Sequence, residues 1–104
     1  MLQRRLVISK EARADLFAIE DYIAEQSGQI RATKVIERIE KTMNNLAFMP
    51  GIGRGRSYME AGLRAFPAAP WTIVYDLLPD GDGINVIRII DGRRNLPAIF
   101  RGNP

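Results

Sequence analysis

The sequence predicts an α+β fold: an N-terminal strand, an antiparallel two-helix hairpin, and three further strands in a small, mainly antiparallel sheet that the hairpin covers (β-α-α-β-β-β). Three observations predict it. Apolar residues recur at helical spacing through two adjacent stretches separated only by Ser27-Gly28. Two strand-like segments, Trp71-Thr72-Ile73-Val74-Tyr75 and Ile84 to Ile90, flank the dense turn signal Pro79-Asp80-Gly81-Asp82-Gly83. The length, 104 residues, suits one modest core and not two, so a single domain is expected over 1–104.

Leu6-Val7-Ile8 reads as the first strand. Ser9 then caps a helix, its hydroxyl accepting from a backbone N–H one turn in. Ala12, Leu16, Ile19 and Ile23 form that helix's apolar stripe, and Glu11 and Asp15 favour the positive end of its dipole. A second helix begins near Gln29 or Arg31 and carries Ala32, Val35, Ile36, Ile39, Met43 and Leu46 on one face. Glu37 and Lys41 make a favourable i,i+4 pair on its polar side, and Pro50-Gly51 ends it. So short a break between two amphipathic helices implies an antiparallel hairpin, and the sheet is the cover available for its apolar side.

Residues 51–61 show no clear period. Their alternating glycines make a weak phosphate-loop signal, since no strand precedes them and no helix follows, and a connecting loop is expected. The sheet strands follow at about Leu63 to Phe66, Trp71 to Leu78 and Ile84 to Ile90, with Pro67 and Pro70 in the first connection. Alternation on the last strand puts Ile87 and Ile89 against the helices and Arg88 on the open face. Trp71 and Tyr75 read as core. From Arg54 onward there are seven arginines and no lysine. Arginine on a rigid sheet suits carboxylate or phosphate, because its planar fork bonds either in bidentate fashion and keeps its charge.

Composition narrows the chemistry. Hydrophobic residues at 46% and charged residues at 26% are ordinary for a soluble globular domain. A net charge of +3 does not by itself imply nucleic acid. The absence of cysteine and histidine excludes disulfides, thiolate metal sites and histidine acid–base catalysis. The acids show no clustered ligand spacing, so neither a metal nor another cofactor is expected. No apolar run approaches the roughly 18 residues that span a bilayer, and the first apolar stretch is too short for a secretory signal. A cytoplasmic location with no membrane partner is the expectation.

The ordered set of segments resembles the RelE/ParE superfamily of bacterial type II toxins, and ParE more closely. It comprises Ile19-Glu20-Asp21-Tyr22-Ile23-Ala24, Leu46-Ala47-Phe48-Met49-Pro50-Gly51-Ile52-Gly53, Gly62-Leu63-Arg64, Ile73-Val74-Tyr75, and Val86 to Ile90 followed by Asp91-Gly92-Arg93-Arg94-Asn95-Leu96-Pro97. The resemblance runs from about Leu6 to Ile99 and rests on the order of these segments, since none is specific alone. Asp91 departs from it, standing where ParE-like chains usually have a histidine before the double arginine, and Asn95 stands where aspartate is commoner. The resemblance implies a toxin held in a hetero-oligomer by a cognate antitoxin protein and, for ParE-like members, interference with DNA gyrase. RelE-like members instead cleave messenger RNA on the ribosome.

For the gyrase reading the candidate target-binding residues are Arg64, Arg88, Arg93, Arg94, Ile99 and Phe100, and no catalytic residue is needed. Phe17 and Tyr22, aromatic residues off the main stripe of the first helix, are candidates for antitoxin docking. In the alternative, a ribosome-dependent mRNA endonuclease, Arg54, Arg56, Arg64 and Arg88 would surround the phosphate. That reading is short of a base: arginine holds its proton, the lysines belong to the helical half, and Tyr58, Tyr75, Glu60 and Asp91 remain. A second alternative is an inactive toxin-fold binding protein. Arg88→Ala is expected to abolish toxicity with little loss of folding if its side chain sits on the open face.

Overall fold

A computed structural model describes residues 4–100. Strand β1 (Arg5–Ile8) leads into helix α1 (Lys10–Ser27), and the chain reverses at Gly28 into α2 (Gln29–Phe48). After a short 3-10 turn at Pro50–Ile52 come β2 (Arg64–Ala68), β3 (Trp71–Leu77), β4 (Gly83–Asp91) and a short helix, α3 (Leu96–Phe100). The four strands make one sheet in the order β1-β4-β3-β2. The strands β2, β3 and β4 pair antiparallel, and β1 lies parallel to β4 at the other edge.

The helices form where the apolar stripes run, and their ends are satisfied locally. Ser9 Oγ accepts from the Ala12 N–H at 3.0 Å, and the Gly28 N–H donates to the Ala24 carbonyl at 2.9 Å. The stripes meet the sheet in one core of Ala12, Ile19, Ile23, Ala32, Ile39, Met43, Leu46 and Ala47 against Ile73, Tyr75, Ile84, Val86 and Ile89. Burying a side chain of the leucine or isoleucine class contributes about 1.5–3 kcal/mol, so this shared core sets the packing of hairpin on sheet. Val74, Ile90 and Met59 are also buried but stand outside that cluster. Beside Ile87 and Ile90, Ile99 and Phe100 of α3 line a cavity of about 340 Å³. The Phe100 ring tilts against Tyr58 with centroids 5.9 Å apart.

Two expectations change and one element is new. Pro67 lies within β2, opposite Thr72, rather than in the connection. This is tolerable because β2 is an edge strand and its missing N–H breaks no inner ladder. Leu96–Phe100 form the short helix α3. The second change bears on function: the facing of β4 is not a simple alternation. Val74 pairs with Arg88, but the next residue, Tyr75, pairs with Val86, so Ile87 is an extra residue in a β-bulge. Ile84 and Val86 therefore join the helix-covered core, Ile89 does so beyond the bulge, and Ile87 does not.

Candidate functional site

Arg88 follows the bulge, where β1 has already ended. The ladder between β1 and β4 stops at Ile8 opposite Val86, after which the Ser9 N–H donates to the Val86 carbonyl and Ser9 Oγ to the Ile87 carbonyl. Asp15, one turn into α1, takes over. Its Oδ2 accepts from the Ile89 N–H and from Arg88 Nε, both at 2.8 Å, and its Oδ1 accepts from an Arg88 terminal nitrogen at 3.1 Å. One carboxylate thus closes the open edge of β4 and clamps the guanidinium in bidentate fashion. The hydrogen bonds that Arg88 donates to Asp15 raise its pKa above the ordinary value. Arg88 shares the open face of β4 with Ile87 and Ile90, as alternation suggests for it, but it is not unpaired. Its side chain is held toward α1 and remains 37% exposed.

A second node fixes the loop after α2. The Tyr75 hydroxyl donates to the Pro50 carbonyl at 2.6 Å and accepts from the Gly53 N–H at 2.9 Å. Arg64 donates to the Gly53 carbonyl at 2.9 Å. There is no room for a side chain at Gly53, since a Cβ there would lie 2.1 Å from the Tyr75 hydroxyl oxygen. Burial pushes the Tyr75 phenol above its ordinary value, against the opposing pulls of the Gly53 amide and Arg64. It is a fixed neutral donor and not a base at pH 7. Tyr75→Phe is expected to leave the buried Gly53 N–H unpaired, at a cost of about 1–3 kcal/mol. Thermal melting together with faster hydrogen exchange at Gly53 would register the loss. An unchanged exchange rate would mean that the hydroxyl does not hold the loop.

Beyond β4 the chain turns on Asp91, whose Oδ1 accepts from the Arg93 N–H and Nε and whose Oδ2 accepts from its terminal nitrogen. Hydrogen bonds from the Arg93 side chain and then its backbone lower the Asp91 pKa to about 2, so it holds a negative charge at neutral pH and has no proton to give as an acid. The Arg93 side chain is 76% exposed, and Arg94 makes no ion pair among the described residues. Arg93, Arg94 and Arg88 line one groove of about 330 Å³ with Tyr22 and Trp71.

The residues expected around an RNA phosphate do not share one cavity. Arg64 lines a different cavity, of about 390 Å³, with Gly55, Leu63 and Asp76. Arg54 pairs through its backbone with Ala65, its side chain exposed, and Arg56 is exposed on the same loop. Arg88, reaching to Asp15 of α1, also lines the cavity of about 340 Å³ with Ile87, Ile90, Ile99 and Phe100, and that cavity shares Leu63 and Asp76 with the one beside Arg64. Phe17 and Tyr22 are exposed as expected, by 61% and 64%, and line different grooves. Asp15 and Gly53 were missed as functional supports. Their partners lie 73 and 22 residues away along the chain, and no local pattern marks them.

Among the described residues no helix is long and apolar enough to cross a membrane, and no group of three or more acidic residues could hold a metal ion. A sheet braced by a helical hairpin, with an arginine turn beside a short C-terminal helix, defines a small protein that presents open, arginine-lined grooves. A family model described as "ParE toxin of type II toxin-antitoxin system, parDE" matches residues 6–96. Toxin ParE3 of Caulobacter vibrioides is 34% identical over 94 residues, spanning 90% of this chain and 92% of that protein. A solved structure titled "Chromosomal ParDE TA system from P. aeruginosa" superposes with a TM-score of 0.70 at 26% identity, covering 88% of this chain and 96% of that one. The chain belongs to the ParE toxin family of type II toxin–antitoxin systems.

Proposed function

We propose that this toxin acts in the cytoplasm by binding DNA gyrase and trapping it on cleaved DNA, and that a cognate antitoxin neutralises it within a hetero-oligomer. Membership of the ParE family carries the reading. The chemistry of the chain agrees with action by binding rather than catalysis. Two of the four possible bases are engaged, the Tyr75 hydroxyl by Pro50 and Gly53 and the Asp91 carboxylate by Arg93. The target surface comprises Arg93 and Arg94 on the turn, Arg88 held by Asp15, Ile99 and Phe100 of α3, and Arg64 at the far side of β3. Arginine next to apolar side chains is a composition favoured at interface hot spots. The antitoxin docks along α1 through Phe17 and Tyr22.

The test is a supercoiling reaction with purified toxin, gyrase, ATP and relaxed plasmid. Inhibition with linear DNA is expected, lost in Arg93→Ala/Arg94→Ala and prevented when antitoxin is mixed with toxin first. Phe17→Ala/Tyr22→Ala toxin should inhibit gyrase yet escape that protection. No inhibition by folded toxin in excess would rule out gyrase, and a halt in protein synthesis on expression would then point to the ribosome.

A further inference from the structure

The groove beside Trp71 continues past the arginine turn. A second cavity, of about 370 Å³, shares Tyr22 and Trp71 with the first and adds Arg31 and Arg38 of α2. The combined groove is strongly cationic. Its lining carboxylates among the described residues are Asp15 and Asp91, and each is neutralised by its own arginine, Arg88 and Arg93. Arg31, Arg38 and Arg94 make no ion pair among the described residues; Arg38 only reaches the Ala69 carbonyl, at 3.5 Å. Between these charges stand the exposed Tyr22 and Trp71, the latter half-buried against the core.

We propose that this groove binds a single strand of nucleic acid, with Arg31, Arg38 and Arg94 on phosphates along it and a base stacked on Tyr22 beside Trp71. Three features favour a nucleic-acid strand over an acidic peptide. The uncompensated cations are arginines spread along the groove, as phosphates are spread along a strand. The exposed ring of Tyr22 lies between them beside Trp71, and an open ring face accepts any unstacked base. Both lining carboxylates are already paired, which leaves a net positive track without like-charge repulsion of phosphate.

Binding is measured by fluorescence anisotropy with a labelled twelve-nucleotide oligothymidylate and the purified toxin alone. Gyrase is absent, so the result stands apart from the proposed target. Three phosphate contacts predict that log K falls against log salt with a slope of about −2, and that Arg31→Gln reduces that slope by about 0.7. Tyr22→Ala is expected to weaken binding about tenfold through lost stacking, without unfolding, since the ring is mostly exposed. Arg13→Gln removes the same charge from a different groove and should leave affinity unchanged. Equal affinity for a duplex of the same length, equal competition by oligoglutamate, or equal weakening by Arg13→Gln would each overturn the proposal. The first would remove the stacking, the second would mark a carboxylate-binding groove, and the third would reduce the effect to net charge.

Discussion

Gly83→Ala is expected to lower the melting temperature by roughly 15 °C and to detach β1 from the sheet. Gly83 opens β4 opposite Arg5 with φ +136°, a region that L side chains rarely adopt. A Cβ there would sit 2.0 Å from the Arg5 carbonyl oxygen and 2.7 Å from its nitrogen. Both obstacles are backbone, so no rotamer change relieves them. The strand must move, and with it go the Arg5 N–H bond to the Asp82 carbonyl and the parallel ladder that ends at Ile8 and Val86. Backbone strain of about 1–3 kcal/mol plus the lost pairing exceeds about 3 kcal/mol, a large part of the roughly 5–15 kcal/mol that stabilises a domain. Thermal unfolding of the purified variant checks this. Melting within about 3 °C of the parent would show that β1 is not held at this contact.

Asp15→Ala is expected to rank next, at about 2 kcal/mol or roughly 10 °C. The substitution removes three hydrogen bonds at once, but their losses differ in weight. Arg88, more than a third exposed, finds water when released, so its share is discounted for solvent screening. The Ile89 amide belongs to a residue only 3% exposed at an otherwise unpaired strand edge, and it carries most of the cost. Arg88→Ala should therefore destabilise less than Asp15→Ala, because Asp15 keeps its bond to Ile89. The opposite order in urea unfolding would place the energy in the ion pair instead. The comparison also separates folding from function. If Arg88 contacts the target, Arg88→Ala should lose toxicity while retaining most of its stability, and Asp15→Asn, which keeps an acceptor for Ile89, should loosen the guanidinium alone.

Much of the architecture was legible because it rests on short-range rules. Ser9 caps α1 as its position before the apolar stripe implies, Gly28 divides the helices, and Asp80-Gly81 turns the chain between β3 and β4. The stripe from Ala32 to Leu46 is the buried face of α2, and Tyr75 is core. The exposed aromatics off the α1 stripe were legible for the same reason, since helical spacing decides which residues cannot reach the core.

What failed to show depended on alignments between distant segments. A strand alternates only while its ladder is regular, and the extra residue at Ile87 arises from how β3 and β4 match, not from anything in Val86-Ile87-Arg88 itself. Asp15 reads as a dipole-compensating acid on α1 until the end of β1 leaves the Ile89 amide bare beside it. The groove uniting Tyr22 and Trp71 with arginines from α2 and the turn after β4 likewise exists only once hairpin and sheet are packed.

By itself the sequence determined the two amphipathic helices, the strands with their turns, and the absence of histidine and cysteine chemistry, because local spacing and residue type suffice for these. Tertiary structure alone decided where the arginines point and which of them are neutralised. An arginine's charge is intrinsic, but its availability depends on whether folding brings a carboxylate to it, as Asp15 is brought to Arg88 across 73 residues while Arg31 and Arg38 are left without one among the described residues.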